Sequence, residues 1–196
     1  MNSSERTKIL KKIKLPDIFI KKGGLAYYLV KEKDLIILVG VYVDSNMDKE
    51  SFFIQYFIQP MFVLFPTYVF SIGHRVGGYW SIQDIKKIEN ELSNITELKS
   101  FDDIKKILET TFGESENLYK HQFLGYIYVL LNEVELAKIE LQKVIKQKSN
   151  DNPQWKVEEI KRVEDFLLLL NTSDYIMVKN KLIEWQAITM RNLTLS

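Results

Sequence analysis

The sequence predicts an α+β fold: an N-terminal helix, an antiparallel meander of four to five strands, then an array of helical hairpins. Three observations carry this. Short β-branched and aromatic runs separated by turn residues fill residues 18–76. From Ser81 onward the apolar residues recur at helical rather than alternating spacing. The helical segments are joined by short linkers of Asn, Ser, Asp and Gly, as neighbouring antiparallel helices require. The boundary falls in the segment Gly77 to Ser81, giving a sheet domain over 1–78 and a helical domain over 79–196.

In order, Ser4 can cap a helix over about residues 5–13, with Ile9, Leu10 and Ile13 on one face. Pro16 ends it. Ile18 to Ile20 leads into the turn Lys21-Lys22-Gly23-Gly24, and Leu25 to Val30 forms the next strand. After the charged turn Lys31 to Asp34, Leu35 to Val43 reads as a central strand. A polar loop, Asp44 to Glu50, precedes a strand over Ser51 to Ile58, where Gln55 and Gln59 share a face. Pro60 and Pro66 bracket Met61 to Phe65, an edge or bulge, and Thr67 to Val76 is the last strand, closed by Gly77-Gly78. Ser81 to Asp84 and Ser100 to Asp103 are capping-box starts for helices reaching about Leu98 and Phe112, the second stopped by Gly113. Further helices run over about 116–131, 133–148, 154–170 and 174–190.

Composition narrows the function classes. Over 196 residues, 46% are hydrophobic and 27% charged, enough to bury a core without staples. There is no cysteine, so disulfides and thiolate metal sites are excluded. The charged start MNSSERTKILKKIK lacks the apolar stretch of a secretory signal, and a cytoplasmic location is expected. The most apolar segment, Phe52 to Gly73, contains Gln55, Gln59, Pro60 and Pro66, so no membrane span is expected. A net charge of +1, spread evenly along the chain, gives neither the field of a nucleic-acid binder nor that of an acidic mimic.

The segment His121 to Ile145 resembles one tetratricopeptide repeat, with Leu124-Gly125, Tyr128, Ala137 and Leu141 at the family's spacing. His121 stands where that family has an aromatic residue and Ser149 where it has proline. Trp155 to Ile188 is a second helix pair of similar size without the small residue in phase, and a generic α-hairpin bundle is the alternative. The resemblance implies that small residues let two helices approach closely. Residues 9–76 resemble small bacterial domains of unknown function that occur beside toxin genes, in their basic helix, Phe-Ile-Lys-Lys-Gly-Gly and Tyr-Tyr strand. That likeness implies an immunity-type role, in which the chain occludes a toxin.

No catalytic pattern stands out. His74 falls on a strand face with Phe70, Ile72 and Val76, as a half-buried structural histidine would, and His121 has no metal-ligand spacing to a second ligand. No metal and no cofactor are expected. The carboxylate pairs Asp102-Asp103, Glu158-Glu159 and Glu164-Asp165 lie at helix starts or on charged faces. Gly23-Gly24 and Gly77-Gly78 are too isolated for phosphate loops. A lysine cluster (Arg6, Lys8, Lys11, Lys12, Lys14, Lys21, Lys22) lies near Phe19, Tyr27 and Tyr28, and a solvated face explains it better than phosphate binding. Residues 52–68 hold seven aromatics, and one strand face needs cover: either helices supply it or it binds protein. Trp80, Trp155 and Trp185 are expected as packing anchors. The resulting expectation is a non-catalytic protein-binding protein, with Gln55, Phe57, Gln59, Tyr68, Tyr128 and Trp155 as candidate contact residues. An enzyme whose acid/base site is assembled only by folding is the alternative, and a nucleic-acid module using the lysine cluster a further one.

Overall fold

The computed structural model describes residues 1–32, 34–48, 50–95, 97–111 and 117–195. Helix α1 (Ser3–Lys12) is capped by Asn2, not Ser4: the Asn2 side chain accepts from Glu5 N at 2.9 Å, and Glu5 Oε2 accepts from Asn2 N at 2.7 Å. Ile9, Leu10 and Ile13 are buried. A five-stranded meander follows in the order β1 (Ile20–Lys22), β2 (Leu25–Glu32), β3 (Leu35–Ser45), β4 (Phe52–Pro60), β5 (Gly73–Trp80). Gly23 and Asp34 take left-handed backbone angles in the first two turns (φ +63° and +71°). Lys21 and Lys22 therefore belong to the edge strand rather than to the turn, where charged side chains deter edge-to-edge pairing.

The β3–β4 ladder runs from Ile37 opposite Pro60 to Ser45 opposite Phe52. Strand alternation then places Phe52, Ile54, Tyr56 and Ile58 on one face and Phe53, Gln55, Phe57 and Gln59 on the other. One face is apolar and the other mixes phenylalanine with glutamine, which is why β4 reads as imperfect alternation.

Three expectations fail between β4 and Ser81. Met61 to Phe65 is neither a strand nor a bulge: Met61, Phe62, Val63 and Phe65 are buried in a turn and coil. The last strand begins at Gly73 rather than Thr67. Residues 67–72 form an arm over the second face of the sheet, where Phe70 stacks on Tyr42 (5.0 Å) and meets Phe57 edge-on (4.7 Å). Gln59 holds the arm, its Oε1 accepting from Val69 N at 2.9 Å and its Nε2 donating to Thr67 O. The Gln59 side chain thus binds the arm at Thr67 and Val69, while at its far end Ile72 O accepts from Ile58 N at 2.8 Å. Gly77-Gly78 does not close the strand either. Phe52 pairs with Trp80 and Ile54 with Val76, so the glycines lie within a bulge, Gly77 at φ +67°.

A 3₁₀ turn (Ile82–Asp84) and α2 (Ile85–Ser93) come next, both the amide and the hydroxyl of Ser81 being drawn to Asp84: Ser81 N and Oγ donate to Asp84 Oδ2 at 3.1 and 2.7 Å. α2 ends at Ser93, short of the expected Leu98, whose amide donates to Tyr28 Oη at 2.9 Å. α3 (Phe101–Thr111) has the expected cap, with Ser100 N donating to Asp103 and Asp103 N to Ser100 Oγ, both at 3.1 Å. The expected stop at Gly113 lies outside the described residues. α4 (Leu118–Leu130), α5 (Val134–Ile145), α6 (Gln154–Asn171) and α7 (Tyr175–Asn192) follow, and consecutive helices from α3 to α7 pack pairwise. α4 is buried almost all round, the central helix of the array.

The chain forms two compact units, one of Met1–Glu32, Ile36–Pro60 and Thr67–Lys99, the other of Lys33–Leu35, Met61–Pro66 and Ser100–Ser196. The first unit thus extends past residue 78 to include α2, which packs on β5. The second takes in the segment after β4: Thr189 Oγ1 donates to Val63 O (2.7 Å) and accepts from Phe65 N (3.0 Å), and Asn192 Nδ2 donates to Phe65 O (3.0 Å).

Candidate functional site

Of the six residues expected to touch a partner, the structure presents Trp155 most openly. Phe57 is buried beneath Tyr68 and Phe70, and Gln59, also buried, is spent on the arm. Gln55 is half-buried, donating to Tyr56 O, and Tyr68 is half-buried over Phe57. Tyr128 is buried and donates its hydroxyl to Glu109; burial, then that carboxylate, pushes its ionisation upward. Sheet cover is therefore supplied within the first unit by the 67–72 arm, and of the aromatic stretch Phe52, Tyr56, Phe57, Phe62 and Phe65 are buried.

Trp155, at the start of α6, is 51% exposed and stacks on Tyr119 of α4 at 6.0 Å and 13°. It is a ledge rather than a packing anchor. Trp185, by contrast, is buried against Tyr126 and Phe166, and half-buried Trp80 donates to Val76 O.

The same unit exposes a set of apolar residues that sequence reasoning missed. Where α6 turns into α7, Leu168, Tyr175, Ile176 and Met177 are all exposed, Ile176 by 75%. Two signals were in the chain. Residues Leu167 to Leu170 are four consecutive leucines, and Tyr-Ile-Met opens a helix directly after its cap, Asp174, whose side chain accepts from Met177 N at 3.0 Å. Successive helical residues are 100° apart, so such runs spread beyond any one buried face. A small hollow of about 160 Å³ adjoins this tip, lined by Val129, Leu130, Asn132, Tyr175 and Lys179.

Several polar side chains join one helix to another. His121 Nδ1 lies 2.6 Å from Glu140 Oε2, whose other oxygen accepts from Lys143 Nζ at 2.6 Å, joining α4 to α5. Gln122 Nε2 donates to Glu159 Oε2 at 3.0 Å, and Arg162 binds both Glu159 and Leu64 O, joining α4, α6 and the 61–66 segment. Tyr119 is pushed up to about 12 by burial and then by the Glu159 charge. His74, expected half-buried, is exposed on β5, with its ring 5.3 Å from Tyr56. Asp102 pairs with Lys105, Asp103 caps α3, and Glu164 pairs with Lys148.

The basic cluster divides. Arg6 reaches Asp44 and the Tyr42 ring, and Lys21 donates to Ile13 O. Tyr27 and Tyr28 are buried, so neither presents a face on which a base could stack. Among the described residues, no three His, Asp or Glu side chains converge as a metal-ion site requires, and no helix is long and apolar enough to cross a membrane. In comparisons with protein-family models, curated proteins and solved structures, nothing matches this chain.

Proposed function

We propose that this chain is a non-catalytic binding protein whose helical unit grips a partner protein. The observation that carries the reading is the α6–α7 tip, where four large apolar side chains stand in water together with the 51%-exposed Trp155 at the other end of α6. Exposing such side chains at a hairpin tip is costly for a chain that has no use for them. Trp and Tyr are the residue types that dominate binding energy at protein interfaces. A toxin is the partner class that the likeness of residues 9–76 to toxin-linked domains implies, and occlusion by an immunity-type protein needs only surface, not bond chemistry.

The test is affinity capture from native bacterial cytosol with wild type and with the Ile176→Asp/Met177→Asp variant. A stoichiometric partner retained by the wild type and lost by the variant is expected. Both side chains are exposed, so the variant keeps its fold, checked by circular dichroism. The reading fails when no stoichiometric partner is held, or when the variant holds it equally well.

A further inference from the structure

We infer that a groove in the first unit, beside α1, is a binding site for a small amphipathic anion: an apolar body with one carboxylate head. This inference is independent of the partner-binding reading, which rests on the other unit. The groove has a volume of about 640 Å³. Small-molecule sites span about 300–1,000 Å³, mostly apolar with a few placed polar groups.

The floor and one wall are apolar, made by Ile9 of α1, Phe52 at the start of β4 and Ile82 of the 3₁₀ turn. Ile82 is 52% exposed, although it opens a turn packed between β5 and α2. A large apolar side chain left in water at the mouth of a groove is what an apolar ligand would cover.

The rim supplies the charge. Lys8, Lys11 and Lys12 stand at i, i+3 and i+4 on α1, and so share one side of the helix. All three are exposed, and among the described residues none of them is held in an ion pair. Complementing the helix dipole accounts for Lys11 and Lys12 in the last turn, but not for Lys8. Two carboxylates also line the groove. Glu5 is committed to the Asn2 amide at the helix start, and Glu50 lies on the opposite loop. The ammonium groups of Lys8, Lys11 and Lys12 are thus concentrated along one wall of the groove. An anionic head laid on that wall places its apolar body against exposed Ile82.

The experiment is calorimetric titration of the full chain with decanoate, well below its micellar concentration, and with 1-decanol as the neutral counterpart. Decanoate is expected to bind one to one and more tightly than 1-decanol. The Lys8→Ala/Lys11→Ala/Lys12→Ala variant is expected to weaken decanoate by about fivefold or more, the scale of a few partly screened charge contacts, while leaving 1-decanol unchanged. Ile82→Glu, at an exposed position, is expected to abolish binding with the fold intact. Ile176→Asp/Met177→Asp is expected to bind decanoate as the wild type does, which separates this site from the partner surface. Absence of decanoate binding, equal affinity for the alcohol, or indifference to the lysine variant each overturns the inference.

Discussion

Gly125 shows what single residues decide here. It lies in the middle of α4, where glycine weakens a helix by about 1 kcal/mol relative to alanine. A methyl group added there would lie 2.6 Å from Leu141 Cγ and 3.4 Å from the Ala137 carbonyl of α5. The close approach that the tetratricopeptide-like spacing implied is therefore present as a contact, and glycine is what permits it. Gly125→Ala is expected to destabilise the protein by about 1–3 kcal/mol in urea titration, overpacking outweighing the gain in helix propensity. In the double variant with Leu141→Ala, that penalty should vanish, a coupling that additive changes cannot mimic. A stabilised Gly125→Ala would contradict the packing account. Which residues would touch a partner was far less legible. Gln59 and Phe57 have the chemistry of contact residues, and only folding shows that an arm eight to thirteen residues further along occupies them. Trp155 was readable as a large aromatic, but only folding shows that it lies half exposed on the Tyr119 ring of α4.

Elements were legible where local chemistry is self-sufficient. Strands β2 to β4 and helices α4 to α7 follow their periodicity, and the Ser100–Asp103 cap acts as its spacing predicts. Errors cluster where a tertiary partner overrides a local pattern. The apolar run of residues 67–72 looks like a strand, yet Gln59 takes its backbone groups, and the Gly77-Gly78 pair resembles an ending while serving as a bulge. The 3₁₀ turn before α2 carries a pH signature. Asp84 is held at about 2, below its ordinary 3.8, first by the Lys87 ammonium and then by the Ser81 hydroxyl and amide. Its folded-state ionisation is lowered, so the stabilising contribution is complete above about pH 4 and is lost as pH falls toward 2. Asp84→Asn is expected to flatten the stability–pH profile over that window while changing little at higher slope-free pH beyond a constant offset. Acid titrations at several urea concentrations, wild type against variant, read this directly; identical slopes would show that Asp84 is not the linked group. The carboxylate lies at the surface, so salt is expected to diminish the difference.

At the scale of the molecule, the sequence pattern places a single boundary near residue 78, whereas the compact units interleave. The helical unit takes its plug, residues 61–66, from the chain between β4 and β5. Phe62 packs against Phe101, and Phe65 meets both Tyr119 and Phe123. The plug's backbone is satisfied by helical side chains: Thr189 serves Val63 and Phe65, Asn192 serves Phe65, and Arg162 serves Leu64. Composition cannot reveal this, because a proline-bracketed apolar run reads as local structure until the side chains that bind it are known. One consequence follows for dissection of the chain. A fragment of residues 100–196 retains the helical periodicity but loses Phe62 and Phe65 from its core, at about 3–5 kcal/mol for each large aromatic removed. It also strands the buried Thr189 hydroxyl without its two backbone partners. The expected result is a fragment with helical far-ultraviolet dichroism, weak near-ultraviolet dichroism and a broad thermal transition, against a cooperative transition for the full chain. Adding a peptide of residues 60–67 in excess should sharpen the transition by mass action. A fragment that melts as cooperatively as the whole protein, indifferent to the peptide, would show that the plug is dispensable and that the helical array is a domain in its own right.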